Sequence, residues 1–360
     1  GDGLELSSCT NFFVRGCRVK HSSTAPSSSA LDLFGSKRGR VDGLLVDGWY
    51  DGVSAATPAG ATGTITIASP GVATLPSAVV AGDPVIWTTT GALPTGITSG
   101  TVYYALSSGT STTLAASPGG TAINTSGSQS GTHTVRFPAD EIDVSHVELT
   151  NCTGTTGFGE AEGRITYSHC KANGGATLQL SQVSGGVGLP PFVLRDVEGD
   201  GCSSLLYTGA RKIIWHGGGL KNAVGSSKAG FYAEPTASTG MIKDLDFLGL
   251  LFEGNSLADL YFNDNGAGAV TIQGSVLSCK CLSTTPFTLA VDSSHTYTGL
   301  IVKDMVTAAE LPNNGADASL AMAFRELVIL RLPGAEVAGV VAGCRFGRAK
   351  HVRIVRVECT

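Results

Sequence analysis

The chain has 360 residues, of which 42% are hydrophobic and only 15% are charged, and its formal net charge is −5. This balance supplies a core but argues against a nucleic acid or an anionic membrane surface as the partner. The sequence contains neither a signal peptide at its start nor an apolar run of roughly 18 residues that could span a bilayer. We therefore expect no nucleic-acid binding and no membrane insertion.

A degenerate four-residue frame recurs along the chain and predicts its architecture. The frame has an apolar residue, a variable residue, one of Asp, His or Gly, and usually a small or apolar residue. After residue 146 it returns every 20–30 residues, which is typical of solenoids, and the β-rich, Gly-rich content favours a β-helix over helical repeats. The marked positions are Gly16, Asp47, His146, His169, Asp196, His216, Asp244, Gly274 and Asp304.

The choice of residues at the marked position has a structural explanation. Asp, His and Gly tolerate a positive φ angle, which a sharp turn between two short strands requires. Asp can also accept a hydrogen bond from the backbone of its own turn. We therefore interpret this position first as a turn-former in each rung of the solenoid, and a chemical role is the alternative.

The composition changes sharply after the first rungs. Between Val53 and Val135 the only Asp, Glu, Lys or Arg is Asp83, and Thr, Ser, Gly and Ala dominate. Short alternating runs such as PVIWTTT and GTVYYALS predict a small antiparallel β-sandwich or barrel. We therefore predict an all-β chain in three segments: the first β-helix rungs at 1–56, an inserted β-module at 57–136, and the remaining rungs at 137–360.

Both ends of the chain lie inside strand patterns, GLELSSC at the start and HVRIVRVECT at the finish. A solenoid with bare ends would expose unpaired strands. We therefore expect the chain to be a segment of a longer polypeptide.

Nine cysteines are spread along the chain. Five of them occupy rung positions, as an interior stack of small apolar side chains would produce, so we expect free buried thiols. Cys279 and Cys281 form the only close pair, and no second pair stands at zinc-site spacing, so no metal site is expected. The Gly217-Gly218-Gly219 run lacks the rest of a phosphate loop, so no nucleotide or other cofactor is expected. The rung cysteines are Cys17, Cys152, Cys170, Cys202 and Cys359.

One set of marked residues could carry catalysis. If the register inferred from the frame holds, Asp196, His216 and Asp244 occupy one column on three consecutive rungs. Stacked strands lie about 4.8 Å apart, so the two carboxylates would be roughly 10 Å apart, near the upper end of the separation in inverting glycosidases. His216 could hold charge or donate to a sugar hydroxyl. The candidate carbohydrate-binding residues are Trp215, Tyr232 and Glu253.

A lyase would need a different set of residues. It requires a basic or phenolic group beside a group that neutralises charge. Arg164, Tyr167 and His169 on one strand are the candidates for that chemistry. The sequence contains no Ser-His-Asp order or nucleophile elbow that would point to a serine hydrolase.

Two stretches carry a resemblance to known proteins. The run GALPTGITSGTVYYAL...LAASPGGTAINTSGSQSGTHTV at 91–135 resembles a β-module of tail and fibre proteins of tailed bacteriophages. The surrounding rungs resemble, in pattern, the right-handed parallel β-helix of the pectate-lyase-like superfamily, which includes phage tailspikes. The first likeness covers about an eighth of the chain, and the second covers most of the remainder without selecting one family.

These resemblances imply a function that the composition alone does not give. They imply a virion tail spike or tail fibre protein that recognises host surface polysaccharide as a receptor-binding β-helix. Further implications are a homotrimer, contacts with other virion tail proteins, synthesis in the host bacterial cytoplasm and action at the host cell surface. The alternatives are a polysaccharide depolymerase, either a hydrolase or a lyase, on the same scaffold, and a bacterial surface adhesin.

Overall fold

The computed structural model describes residues 2–21, 28–154, 156–174, 178–183, 189–208, 211–225, 229–234, 241–263, 271–283, 287–290, 296–307 and 322–331. For 241–244, 262–263, 271–273 and every residue after 283, only the backbone is described. All 31 elements of this part of the chain are β-strands. The predicted all-β class is therefore confirmed.

Parallel strands form most of the structure, and we divide them into three ladders. The chain passes through the ladders repeatedly, and we call one pass through them a passage. The first ladder contains β2 (Phe13–Arg15), β5 (Lys37–Asp42), β15 (Asp140–Ser145), β17 (Ile165–Ser168), β20 (Phe192–Asp200), β22 (Ile213–Lys221), β24 (Met241–Leu248), β27 (Thr271–Leu277), β30 (Thr296–Thr307) and β31 (Met322–Arg331).

The second ladder follows the first around a corner of the chain, and the long strands β20, β22, β30 and β31 run through both. Its other strands are β3 (Arg18–Lys20), β6 (Leu45–Asp47), β16 (Glu148–Thr150), β18 (Lys171–Asn173), β25 (Leu251–Glu253) and β28 (Lys280–Cys281). The third ladder contains β1 (Leu4–Glu5), β4 (Ser29–Asp32) and β7 (Asp51–Ser54), and then β19 (Gln179–Val183), β21 (Ser203–Tyr207), β23 (Ala229–Ala233), β26 (Ala258–Asn263) and β29 (Phe287–Ala290).

Strict register stacks equivalent side chains of successive passages into a continuous core. Alternate residues of a strand point to opposite faces, so every second position lines the interior. Val144 pairs with Tyr167, and the same row continues through Leu194, Trp215 and Phe247. All five side chains are fully buried. The apolar alternation in the sequence therefore becomes a set of interior rows, one residue from each passage.

The corner between the first and second ladders requires the left-handed backbone conformation. The predicted positive φ angle is found at Gly16, His146, His169 and Asp196. The prediction is wrong by one residue at Asp47, whose neighbour Gly48 has the positive φ angle, and at His216, which pairs with Arg195 while Gly217 takes the corner. Glycine adopts this conformation without steric cost, so in a His-Gly pair the glycine is the better corner residue.

A separate antiparallel sheet interrupts the parallel strands. Its strand order is β8-β14-β11-β12-β13-β10-β9, and Trp87 is fully buried in its core. The antiparallel pairing that the sequence predicts for this segment, hereafter the insert, is present. The strands are β8 (Ala61–Thr62), β9 (Thr64–Ile65), β10 (Val72–Val79), β11 (Pro84–Thr89), β12 (Val102–Ala105), β13 (Gly109–Ala115) and β14 (His133–Arg136).

Asp83, one of the two charged residues of the insert, attaches it to the parallel strands. Asp83 is almost fully buried and accepts hydrogen bonds from Lys37, at 3.1 Å, and from Arg38. Burial alone would raise the pKa of Asp83, but hydrogen bonds from the Val80 N–H and Arg38 and the charge of Lys37 lower it on balance. Nearby, Leu189 packs against the insert's small cluster of Ile86, Val102 and Tyr104. A salt bridge and an apolar contact therefore fix the insert.

A fully buried arginine ties three backbone segments together. The guanidinium of Arg211 donates hydrogen bonds to the carbonyl oxygens of Pro190, Ala161 and Gly163. Its NH1 also lies 3.6 Å from the Glu160 carboxylate. Burial lowers the pKa of Arg211, and the charge of Glu160 opposes that change. The bonded segments are far apart in sequence, so this side chain stabilises tertiary structure rather than a local turn.

A second buried polar cluster lies between the second and third ladders. Asp259 is fully buried and accepts hydrogen bonds from the Asn255 side chain, at 2.8 Å, and from the Ser283 N–H, at 3.0 Å. Asn255 in turn accepts the Ala223 N–H and donates to the Leu220 carbonyl. Burial raises the pKa of Asp259, while these donors oppose the rise. The cluster joins successive passages through satisfied hydrogen bonds.

The seven cysteines of the described residues are free, and five of them are buried. Burial raises the pKa of Cys152 and Cys170 to about 11 and that of Cys202 to about 12. The prediction of free buried thiols is therefore confirmed for Cys152, Cys170 and Cys202, whereas Cys17 is free but only partly buried and Cys359 lies outside the described residues. In the described part of the chain, no helix is long and apolar enough to cross a membrane.

We predict that Arg211→Met lowers the free energy of unfolding by about 3–5 kcal/mol, because it leaves Glu160 and three carbonyl oxygens without their buried donor. Thermal and denaturant unfolding of the two proteins measure the change. Arg18→Met is the matched control, because Arg18 is exposed and its contact with Asp47 is 3.6 Å long. The control should shift stability by less than about 0.5 kcal/mol. Equal stability of Arg211→Met and the natural chain would contradict this role.

Candidate functional site

The outward side of three neighbouring first-ladder strands is strongly polar. The strands are β5, β15 and β17, which pair in register. We call this surface the polar face. It consists of Arg38, Arg40, Asp42, Glu141, Asp143, Arg164, Thr166 and Ser168, together with the corner residues His146 and His169.

A chain of histidines and carboxylates runs along the corner that borders the polar face. His146 Nδ1–H donates to Asp42 Oδ1 at 3.0 Å, and the His146 ring stacks on His169 with ring centroids 5.2 Å apart. His169 Nε2 lies 3.4 Å from Asp196 Oδ2. These three corner side chains are about 60% exposed, at 60% for His146, 58% for His169 and 59% for Asp196. We call Asp42, His146, His169 and Asp196 the corner ladder.

The carboxylate of Asp42 is the best-partnered acid of the corner ladder. The hydrogen bond from His146 is the main cause that lowers its pKa, and the hydrogen bond from Ser145 Oγ, at 3.1 Å, adds to it. Arg40 lies 3.8 Å and Arg15 4.0 Å from its other oxygen. Asp42 therefore remains ionised through the neutral range and presents a fixed negative charge at the edge of the polar face.

A second imidazole–carboxylate pair continues the same side of the molecule. His216 Nε2–H donates to Asp246 Oδ1 at 3.1 Å. Gly217, which takes the corner on this passage, lies directly beneath the Asp196 carboxylate, so a side chain there would collide with it. The missing Cβ at Gly217 therefore leaves room for the exposed acid of the previous passage.

The next corner repeats this arrangement with amides in place of imidazoles. Asn151 Nδ2–H donates to Asp47 at 2.9 Å, and Asn222 Nδ2–H donates to Asp200 at 2.9 Å. In each pair the asparagine has a positive φ angle. The carboxylate in each pair directly precedes a corner glycine of the preceding passage, as Asp42 precedes Gly43. The shared geometry indicates that the corner positions are stabilised by cross-passage hydrogen bonds.

The edge of the polar face nearest the insert carries a row of alternating charges. Arg38, Glu141 and Arg164 occupy equivalent positions on three passages. Arg164 NH2 lies 3.0 Å from Glu141 Oε1, and its Nε and NH2 bond both oxygens of the buried Asp140, at 3.0 and 2.6 Å. The guanidinium of Arg164 also lies 5.8 Å from the ring of Tyr104 of the insert. Both Arg38 and Glu141 have positive φ angles.

The predicted catalytic column is wrong in register. Asp196 lies opposite Gly217, and His216 lies opposite Leu248, four residues after Asp244. The side chain of Asp244 lies outside the described part of the chain. The error arises because the connection between β22 and β24 is longer than the sequence frame assumed, so the residue opposite His216 comes four positions later than predicted. Register has to be correct to the residue, because a shift of one residue turns a side chain to the other face of the strand. In the structure, His216 is paired with Asp246 instead.

The three predicted carbohydrate-binding residues have different environments. Trp215 is fully buried, with its ring edge-on to Phe247 and Phe252, so the prediction that it stacks on a sugar is wrong. Tyr232 is half-buried on the third ladder and stacks on Tyr261, with ring centroids 4.8 Å apart. Glu253 is exposed on the second ladder, 3.6 Å from Lys221. Trp215, Tyr232 and Glu253 therefore lie on three different ladders.

The predicted lyase set is divided between the interior and the surface. Tyr167 is fully buried and donates its hydroxyl to the Gly159 carbonyl at 2.6 Å, and burial raises its pKa well above the usual value. Tyr167 therefore cannot serve as a base for a bound polymer. Arg164 and His169 do lie on the polar face or its corner, but on opposite edges.

Asp42, Glu141 and Asp143 were not predicted as site residues from the sequence, whereas Asp246 was one of the acidic residues that competed with Asp196 and Asp244 for a catalytic role. Asp42 had a usable signal, because an Asp-Gly pair after an alternating run marks a corner, as Asp47-Gly48 does. For Glu141 and Asp143 the sequence holds no comparable signal, since acidic residues on outward strand positions are common. Their grouping depends on which passages become neighbours.

The site offers hydrogen-bond donors, acceptors and exposed acids. Among the residues that the structure describes, no group of three or more His, Cys, Asp or Glu side chains is arranged to hold a metal ion. Carboxylates accept hydrogen bonds, and guanidinium, imidazole and hydroxyl groups donate them. The arrangement is therefore suited to a polyhydroxylated ligand.

Comparison with known proteins assigns no family to the chain. No protein-family model matches the sequence, and a search of curated proteins finds no significant match.

We predict that His146→Ala raises the pKa of the Asp42 carboxyl group, because it removes the strongest hydrogen bond to the ionised form. The carboxyl carbon of Asp42 is followed by NMR as pH falls. His216→Ala is the matched control, since that imidazole bonds Asp246 instead. An Asp42 titration that is identical in His146→Ala and the natural chain would show that the hydrogen bond does not form in solution.

Proposed function

We propose that the parallel passages form a right-handed parallel β-helix and that the protein is a bacteriophage tail spike or tail fibre protein. Its polar face would bind surface polysaccharide of the host bacterium. Crossovers between parallel strands are right-handed in about 98% of cases, which supports the handedness. The sequence resemblances support the virion assignment, and with it a homotrimer that contacts other tail proteins.

The observation that carries the proposal is the exposed corner ladder beside the polar face. A linear polymer that lies along the stack would meet carboxylates, imidazoles and hydroxyls at strand spacing, about 4.8 Å apart. Corner side chains held by cross-passage hydrogen bonds lose little freedom on binding, which favours affinity. Buried hydrophobic side chains behind the same strands keep the surface rigid.

Binding can be tested with the double variant His146→Ala/His169→Ala. We predict that it weakens binding of the host polysaccharide about tenfold, equivalent to one or two lost hydrogen bonds. Purified surface polysaccharides of candidate host strains are immobilised, and affinity is measured by biolayer interferometry. His21→Ala is the matched control, because His21 follows β3 of the first passage, where its ring contacts Trp49, and does not belong to the polar face.

The outcomes of this experiment separate the proposal from its alternatives. A polysaccharide that binds the natural chain and the control equally, and the double variant more weakly, supports the polar face as the receptor site. Equal binding by all three proteins would place the site elsewhere on the molecule. Absence of binding to every host polysaccharide would contradict the proposed function.

A polysaccharide depolymerase is the second candidate, and the exposed carboxylate of Asp196 favours it. Glycoside hydrolysis requires two carboxyl groups on either side of the scissile bond. Asp143 is exposed on the same side of the molecule as Asp196, and Asp42 lies at the edge of the same face with its side chain 20% exposed. The second catalytic carboxyl group would have to come from one of these nearby aspartates.

If the chain is a hydrolase, polysaccharide that it binds will release new reducing ends, and Asp196→Asn will abolish the release. Asp200→Asn is the control, because Asp200 lies at the next corner and bonds Asn222. Ultraviolet absorbance from an unsaturated uronate would instead indicate a lyase. Binding without either product would leave a receptor-binding protein and remove the hydrolase candidate.

A further inference from the structure

The insert occupies a defined place beside the polar face. Asp83 bonds Arg38, and Tyr104 lies over Arg164, so the insert contacts both outer members of the row of alternating charges. The corner ladder borders the opposite edge of the same strands. From Arg38 to Asp42 the strand advances four residues, about 13 Å. The polar face is thus bounded by the insert on one side and by His146 and His169 on the other.

We propose that the insert is one wall of a groove whose floor is the polar face, and that this groove takes an uncharged polysaccharide. The inference rests on the proposed function and deepens it, because it gives the insert a role and names the class of glycan.

The attachment of the insert is stronger than a flexible appendage requires. Its only acidic residue, Asp83, is used for a nearly buried contact with two cations of the first passages, and its Arg136 bonds Glu162 of a later passage at 2.8 Å. Leu189, from a later passage, contacts a separate apolar cluster of the insert. The insert is therefore attached to more than one passage of the stack, which restricts its movement. A wall of a binding groove needs this rigidity, because movement would add an entropic cost to binding.

The charges of the polar face argue for a neutral ligand. The outward carboxylates are Asp42, Glu141 and Asp143, and the outward guanidiniums are Arg38, Arg40 and Arg164. The face therefore carries three groups of each sign. Arg38 and Arg164 are further neutralised by the buried Asp83 and Asp140.

An acidic polymer would gain no net attraction from such a surface, and it would be repelled by the exposed acids. Hydroxyl groups of a neutral sugar can donate to a carboxylate and accept from a guanidinium or hydroxyl group. Alternating donors and acceptors therefore favour a neutral polysaccharide over an anionic one.

The role of the insert can be tested with two substitutions at residues that do not belong to the polar face. Asp83→Asn removes the charge from the nearly buried salt bridge, and Leu189→Ala removes the apolar contact from the side of the stack. We expect each to weaken polysaccharide binding about tenfold. A thermal unfolding scan must show that each variant is still folded at the temperature of the binding assay, because Asp83→Asn leaves the buried Lys37 without its acidic partner and lowers stability. Asp200→Asn is the matched control for the first variant, and its affinity should remain within about twofold of the natural chain.

The ligand class is tested with dextran, mannan and galactan as neutral probes and with alginate and polysialic acid as acidic probes. Affinity is measured at low and high sodium chloride. We expect binding to at least one neutral probe, with no dependence on salt, and no binding to the acidic probes. Preferential binding of an acidic polymer that weakens with salt would overturn the neutral class, as would failure of every neutral probe.

The failure of this inference is distinguishable from failure of the proposed function. Unchanged affinity in Asp83→Asn and Leu189→Ala, with weakened binding in His146→Ala/His169→Ala, would remove the insert as a wall and leave the polar face as the receptor site. Unchanged affinity in all three variants would overturn both.

Discussion

The structure depends on one constraint, which is that successive passages stay in register while the chain turns between ladders. Parallel pairing repeats the same corner at every passage, so every corner must be filled by a residue that accepts the left-handed conformation. Glycine does so without cost, whereas histidine, aspartate and asparagine need compensation. His146, Asn151 and Asn222 obtain it from hydrogen bonds to carboxylates of the preceding passage. The fold itself therefore accounts for the polar residues at the corners, and a binding role is additional to that structural role.

The same constraint explains why glycines and polar side chains share the corner positions. An acid at one corner extends over its neighbour, and Gly217 accommodates the Asp196 carboxylate because it has no side chain. Two large side chains in contact must instead stack, as His146 and His169 do. The stacked part of the corner ladder therefore forms where adjacent passages have non-glycine residues at the corner, as at His146, His169 and Asp196. It ends at the next passage, where Gly217 takes the corner.

The insert is compatible with this architecture because it enters and leaves the stack at neighbouring points, between β7 and β15. β5 and β15 still pair as adjacent strands although the whole insert separates them in sequence. The stack therefore tolerates the insertion, as surface loops generally do when their ends lie close together. The pairing of Asp83 with Lys37 and Arg38 then converts a loop insertion into a fixed element beside the polar face.

Composition, periodicity and turn chemistry by themselves determined that this chain is all-β, that a charge-poor antiparallel module interrupts a repeating series, and that His146, His169 and Asp196 are corner residues. These properties are local, because they depend on alternation along a strand and on the φ angles that a residue tolerates. Only the tertiary structure decided which passages are neighbours. It moved the corner from His216 to Gly217, placed Trp215 in the core, and paired Asp42 with His146 across the insert. Register between strands depends on the lengths of the connections and on packing between distant residues, and a one-residue shift reverses which face a side chain occupies.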